Sequence, residues 1–103
     1  MNVALARVWG WRPKVDRTIV DVAEQRLSFS TGAPIVVSRL DGRRGYYLID
    51  GYHRVVEAAL AGRRSIRAEV DPNVPRIERT GGAHRAFLED AVSIRDYVQQ
   101  VVR

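Results

Sequence analysis

Cysteine is absent from this 103-residue sequence, and lysine occurs only once. Without cysteine the chain forms no disulfide, no thiolate nucleophile and no cysteine-bound zinc site, and the cytoplasm is the expected compartment. No apolar run approaches the ~18 residues of a membrane helix, and the first residues lack the basic start, apolar run and cleavage site of a signal peptide. With 46% hydrophobic and 28% charged residues, we expect a single globular domain over residues 1–103.

All but one of the 17 basic residues are arginine, and the formal net charge is +5. This balance favours anionic partners such as nucleotides, nucleic acid or acidic surfaces, and arginine suits bidentate phosphate contacts. Arg43 and Arg44 fall in one predicted turn, and Arg63 and Arg64 in another. They would form a basic rim for DNA or RNA if both turns face the same side, and otherwise they are solvated loop residues.

The hydrophobic pattern predicts the element order β-α-β-β-α-β-α, which is a small mixed α+β domain. The expected elements are a strand Val3–Val8, a helix Arg17–Leu27 capped by Asp16, a strand Ile35–Leu40, a hairpin turn Asp41–Gly45, a strand Tyr46–Ile49, a helix Tyr52–Ala61 ending at Gly62, and a strand Ile66–Val70. Two stretches are predicted to lack regular structure, Trp9–Pro13 and Asp71–Gly82.

The last segment, Ala83–Val102, is predicted to be one amphipathic helix. Its apolar residues recur at alternating spacings of four and three, as Phe87, Ala91, Ile94, Val98 and Val101. So narrow a stripe either docks on the sheet or pairs with its twin in a homodimer.

Two tryptophans, Trp9 and Trp11, are separated by one residue. In an extended chain their rings lie on the same side. They could stack a nucleobase or cover part of the core, and the sequence leaves both interpretations open.

The most informative stretch is a strand that ends in Asp50-Gly51 and is followed at once by a helix. The first backbone N–H groups of a helix have no intrahelical acceptor, and the helix dipole adds positive potential there. A phosphate could therefore accept N–H groups from Tyr52, His53 and Arg54, with the Arg54 side chain adding charge. Gly51 would let a ligand oxygen approach the backbone closely.

The same stretch carries candidate catalytic groups. Asp50 could hold a hydrated Mg²⁺ or accept a proton from an attacking hydroxyl. Glu57 lies four residues after His53, on the same helix face, and could orient or charge it. Alternatively, Asp50 only caps the helix, Arg54 pairs with Asp50 or Glu57, and His53 is a surface residue.

From Asp16 to Val70 the chain resembles the ParB/sulfiredoxin superfamily. The motifs that carry the resemblance are Pro-Ile-Val-Val, a hairpin, Leu-Ile-Asp-Gly-Tyr-His-Arg, a helix closing at Ala-Gly, and a final strand. The resemblance implies a compact α+β fold that binds ATP, ADP or CTP, with phosphate contacts at Gly51, Tyr52, His53 and Arg54. It gives Asp50 the position that acts in catalysis in the free-serine-kinase branch.

Sulfiredoxins place a cysteine between the glycine and the histidine of this motif, where the present sequence has Tyr52. Reduction of a sulfinic acid by that route is therefore excluded. The expected function is a nucleotide-binding module that is a weak NTPase or phosphotransferase. A DNA-binding or DNA-processing protein and a non-enzymatic regulatory partner acting through the last helix are the alternatives.

Overall fold

The computed structural model describes residues 1–24, 33–40, 45–71 and 90–102. These residues form six strands and three α-helices. The strands are β1 (Asn2–Ala4), β2 (Val8–Trp11), β3 (Ile35–Arg39), β4 (Tyr46–Asp50), β5 (Ser65–Val70) and β6 (Ala91–Ser93). The helices are α1 (Arg12–Ala23), α2 (Tyr52–Leu60) and α3 (Ile94–Val101), and a short 3₁₀ turn covers Leu5–Arg7.

The strands form one mixed sheet in the order β1-β5-β3-β4-β2-β6. Strands β2 and β4 are parallel neighbours, as are β3 and β5, whereas the other three pairings are antiparallel. The fold is therefore α+β, as the sequence predicted. In the described part of the chain, no helix combines the length and apolar character that crossing a bilayer would require.

The main core lies between one face of the sheet and the three helices. Alternation along each strand sends every second side chain to this face. The fully buried residues of this core include Ile35, Val37 and Leu48 from the sheet and Val55 and Val56 from α2. A second, smaller cluster lies on the other face, where Trp9, Ile49 and Ala91 pack against Leu40 and Tyr47.

Several predicted elements in the middle of the chain are confirmed. Strands β3 and β4 form the expected antiparallel pair, in which Arg39 faces Tyr46. Helix α2 ends as predicted, because Gly62 takes a positive φ of 74° and its N–H bonds the carbonyl of Ala59, while the Arg63 N–H bonds that of Ala58. These two bonds are the Schellman arrangement that glycine favours after a helix.

Helix α1 begins at Arg12, not at Arg17, and Asp16 lies inside it rather than capping it. Pro13 is in the first turn, where its missing N–H costs nothing and its fixed φ suits a helix. The helix ends at Ala23, before the predicted end at Leu27, which itself falls outside the described residues.

The N-terminal strand prediction is partly wrong. A turn at Leu5–Arg7 divides the stretch Val3–Val8, and the stretch expected to break regular structure supplies β2. Long-range pairing explains the difference, since the Leu5 N–H bonds the Arg64 carbonyl and β2 pairs with both β4 and β6.

The C-terminal helix is shorter than predicted. Ala91–Ser93 is a strand that pairs with β2, so the helix begins only at Ile94. Ile94 and Val98 are buried in the chain's own core, whereas Val101 is exposed. Residues 83–89, including Phe87, lie outside the described residues, so the rest of the expected helix has no structural counterpart to compare.

Candidate phosphate-binding corner

Two helices begin at the same end of the sheet, where strands β2 and β4 have their carboxyl ends. Strands β2 and β4 are parallel, with Val8 beside Tyr46 and Trp9 beside Tyr47, and each strand leads directly into a helix, α1 and α2 respectively. Ligands of α/β sheets commonly bind outside the carboxyl ends of such parallel strands. The end of the sheet where both helices begin is therefore a candidate binding site.

The start of α2 is built around Gly51. This residue has φ 111° and ψ 28°, a left-handed conformation that side chains other than glycine rarely adopt. The first bond inside the helix runs from the Val55 N–H to the Gly51 carbonyl, at 3.1 Å, so the three amides of residues 52–54 point out of the helix end. Glycine has no side chain to cap them, and the helix dipole adds positive potential at this end.

At the start of α1 the chain itself supplies an acceptor for the first N–H and carboxylates for the arginine. The Arg12 N–H donates to the Asp90 carbonyl at 2.9 Å, and Pro13 has no N–H to offer. The Arg12 side chain also makes two bonds to the Asp90 carboxylate, at 3.0 and 3.3 Å, and one to Asp16 at 3.2 Å. Of the two neighbouring helix starts, α2 is the one without a proline and with the less closely paired arginine, so we take it as the candidate anion site.

Arg54 folds back over the corner. Its Nη1 donates to the carbonyls of Ala33 and Pro34 at 2.9 and 3.2 Å, which fastens the segment leading into β3. Its Nη2 lies 3.9 Å from Asp50 Oδ2 and would lie 3.3 Å from a Cβ added at Gly51. The guanidinium is therefore held next to Gly51, as the predicted phosphate contact requires, while part of its donor capacity is used by the backbone.

Lys14 brings a second cation towards this corner. Its Nζ lies 4.7 Å from the centre of the Tyr52 ring, at a distance typical of a cation–π contact. Lys14 is not among the site residues predicted from the sequence, because its position depends on where α1 begins. A signal was present, since Lys14 is the chain's single lysine.

Tyr52 is part of the framework of the corner and is buried. Its hydroxyl accepts the Trp11 N–H at 3.1 Å, which joins the start of α2 to the end of β2. Burial raises the pKa of Tyr52, and the Trp11 N–H partly offsets this effect. Burial, with the nearby Tyr52 hydroxyl, also raises the pKa of Tyr47. Both phenols are held in the neutral form, so a role for Tyr52 as a proton-accepting base is not favoured.

The carboxylate that the structure brings to His53 from another helix is that of Asp21. The His53 Nε2 lies 3.7 Å from Asp21 Oδ2, and both side chains are about one quarter exposed. This ion pair links α1 to α2 when the imidazole is protonated. The sequence pointed to Glu57, which is half-buried one turn further along α2; spacing within one helix could not reveal Asp21.

Asp50 is largely exposed beside the corner, with 76% of its side chain accessible. Among the described residues, no three histidine, aspartate or glutamate side chains gather into a group that could hold a metal ion. Mg²⁺ commonly binds through one or two carboxylates together with substrate phosphates. Asp50 fits that kind of site, in which the ligand completes the coordination.

The predicted basic rim receives no support from the topology. Ala68 pairs with Ile35, so β5 begins beyond the first residue of β3, and the exposed Arg63 and Arg64 precede that end. The β3–β4 turn lies at the other end of β3, where the Leu40 N–H bonds the Gly45 carbonyl. Arg43 and Arg44 themselves are outside the described residues.

A separate shallow groove of about 470 Å³ lies beside the edge strand β6. It is lined by β6, by Trp9 and by Asp96, Tyr97 and Gln100 of α3. None of the residues from Asp50 to Arg54 lines it. The groove and the corner are therefore distinct features.

Comparisons with protein-family models, with curated proteins and with solved structures give no significant match. Function is therefore inferred from the geometry of the corner and from the resemblance of its motif.

Proposed function

We propose that this protein is a nucleotide-binding module of the ParB/sulfiredoxin-like type that holds phosphate groups at the Gly51–Arg54 turn. The observation that carries the proposal is the start of α2. A left-handed glycine precedes it, the first three amides have no acceptor within the helix, and the Arg54 guanidinium lies beside the glycine. Phosphate oxygens are the ligands that such a turn accepts best.

Each contact has a defined role in this proposal. The outward amides donate to phosphate oxygens, and Arg54 adds a charge-assisted bond while keeping the β3 segment in place. Lys14 and a protonated His53 increase the positive potential around the turn. ATP, ADP and CTP are the nucleotides that the motif implies, and Asp50 would either hold Mg²⁺ or act as the base of the reaction.

The proposal includes turnover as a weak NTPase or phosphotransferase. In its role as base, Asp50 accepts the proton of an attacking water or hydroxyl as that oxygen bonds to the terminal phosphorus of ATP or CTP, and the bond from that phosphorus to the oxygen of the leaving nucleoside diphosphate breaks. His53 is the second candidate catalytic residue, and Asp21 and Glu57 are the carboxylates that would support it.

The direct test is calorimetric titration of ATP, ADP and CTP with Mg²⁺ into the wild type, Arg54→Ala and Arg67→Ala. Arg67 is an exposed arginine of β5 and controls for the loss of one positive charge. A charge-assisted hydrogen bond contributes about 1.5–3 kcal/mol, so Arg54→Ala should weaken binding about 10- to 100-fold and Arg67→Ala should change it little.

Two results would contradict the proposal. One is the absence of binding tighter than millimolar by any of the three nucleotides, and the other is an equal loss in both variants. Because Arg54 also bonds two carbonyls, thermal unfolding must show that Arg54→Ala is still folded, and Arg54→Lys serves as the charge-retaining variant.

A further inference from the structure

We infer that Trp11 stacks on the base of the nucleotide whose phosphates occupy the Gly51–Arg54 turn. This inference rests on the proposed function and extends it, because it makes a nucleoside phosphate, rather than any small phosphate, the ligand of the site.

Register places Trp11 within a nucleotide's reach of the turn. Trp9 is level with Tyr47 on the neighbouring parallel strand, so Trp11 is level with Ile49, two residues before Gly51. With strands about 4.8 Å apart and a rise of about 3.3 Å per residue, the Trp11 and Gly51 Cα atoms lie on the order of 8 Å apart. Because the Trp11 ring faces away from the helices, a nucleotide with its phosphates at the start of α2 would cross the carboxyl ends of β2 and β4 to place its base on the ring.

The backbone of Trp11 is fixed on the same framework as the turn. Its N–H bonds the hydroxyl of Tyr52, the first residue of α2, at 3.1 Å. The backbone that carries the indole therefore keeps its position relative to the phosphate contacts, which lowers the ordering cost of binding.

The two tryptophans of β2 differ in their surroundings. Val8 is buried in the main core, and a Cβ added at Gly10 would meet Ile94 and Tyr52, so both residues face the helices. Trp9 and Trp11 therefore face the opposite side of the sheet. Trp9 packs against the small cluster of Leu40 and Tyr47, whereas Trp11, at the carboxyl end of β2, is 37% exposed.

Stacking on an exposed indole suits a nucleobase because each base presents a π-face, and it gives little preference between bases. Loss of one such stack weakens binding about 5- to 100-fold. We therefore expect ATP and CTP to bind with similar affinity and both to bind more tightly than tripolyphosphate, which has no base.

The test compares ATP, CTP and inorganic tripolyphosphate, each with Mg²⁺, by calorimetry on the wild type, Trp11→Ala, Trp11→Phe and Trp9→Phe. Trp11→Ala keeps the backbone N–H that bonds Tyr52, and its thermal midpoint verifies folding. It should lose about 5- to 100-fold in affinity for both nucleotides and leave tripolyphosphate binding unchanged. Trp11→Phe should recover most of the loss, and Trp9→Phe should bind like the wild type.

Each contrary result has a separate meaning. If the wild type binds nucleotides and tripolyphosphate equally, or if Trp11→Ala weakens both ligands alike, the stacking inference is wrong and the phosphate site stands. If neither ligand binds the wild type, the proposed function fails and the inference fails with it. Trp11-dependent binding of a single-stranded oligonucleotide without binding of mononucleotides would overturn the inference in favour of a nucleic-acid surface.

Discussion

Gly51 and Gly62 offer a matched pair of substitutions at the two ends of α2. Both have positive φ, 111° and 74°, so alanine at either position must adopt a left-handed backbone conformation. Only at Gly51 would the new methyl group collide, because its ideal position is 2.7 Å from Ile35 Cγ2 and 3.3 Å from Arg54 Nη2. At Gly62 nothing among the described residues lies within 4 Å of it.

The expected magnitudes follow from these two terms. Left-handed strain costs an alanine about 1–2 kcal/mol and applies to both variants. Overpacking against the fully buried Ile35 adds about 1–3 kcal/mol and applies only to Gly51→Ala. The smaller entropic gain from restricting the unfolded chain, about 0.4–1 kcal/mol, is the same in both and cancels in the comparison.

Urea unfolding followed by tryptophan fluorescence measures the difference directly. Gly51→Ala should lose about 1–3 kcal/mol more than Gly62→Ala, with unchanged m-values. In thermal unfolding this corresponds to a midpoint at least about 4 °C lower for Gly51→Ala. Equal stability of the two variants would show that the turn before α2 is not tightly packed around Gly51. The close fit at Gly51 would then no longer support a binding site there.

Three further predictions concern the framework around the corner. Gly10→Ala should destabilise the fold by about 1–3 kcal/mol in urea unfolding, because its Cβ would lie 2.7 Å from Ile94 Cδ1 and 3.0 Å from Tyr52 Cε2; an unchanged midpoint would contradict this packing. Burial raises the pKa of Tyr52, so the folded state keeps a proton that the unfolded state loses at high pH. The stabilisation linked to this proton is complete below pH about 10 and declines as the pH rises further. Tyr52→Phe should therefore make the fall in unfolding free energy between pH 10 and 11 less steep, and a fall of the same steepness would count against the burial of this phenol. Arg12→Ala should lower the thermal midpoint, and Arg12→Lys should recover only part of the loss because lysine lacks the planar fork that bonds Asp90; full recovery by lysine would mean that charge alone matters.

The elements that sequence predicted well are those defined by local signals. Strand β4, helix α2 and its end at Gly62 follow one another within 17 residues, from Tyr46 to Gly62, and their pattern of alternation, helical spacing and terminal glycine needs no distant partner. Burial then bears out the helical pattern, since Val55, Val56 and Ala59 of α2 all lie in the core.

The elements that sequence missed depend on distant contacts. Strand β6 exists because Ala91–Ser93 pairs with β2, some 80 residues earlier in the chain, and the heptad-like spacing of Ala91 with Ile94 and Val98 gave no sign of it. The start of α1 is fixed in the same way, by the bond from the Arg12 N–H to the Asp90 carbonyl. Such pairings override local propensity and cannot be derived from periodicity.

The same distinction applies to the candidate site. The residues from Asp50 to Arg54 and Glu57 could be proposed from one short motif, because they are neighbours in sequence. Lys14 and Asp21 come from α1, and their approach to α2 depends on the parallel pairing of β2 with β4. Only the three-dimensional arrangement could add them.

The contrast between the two helix starts is our main reason for proposing the anion at α2. Both helices follow parallel neighbouring strands, so their dipoles add similar positive potential at the same end of the sheet. At α1, however, a backbone carbonyl accepts the first N–H, a proline removes the next one, and two carboxylates neutralise the Arg12 guanidinium. At α2, the residue before the helix is a glycine with no side chain to cap it, and the guanidinium beside it lies 3.9 Å from the Asp50 carboxylate. An anion would therefore gain more at the start of α2, where no proline removes an N–H and the arginine lies farther from its carboxylate.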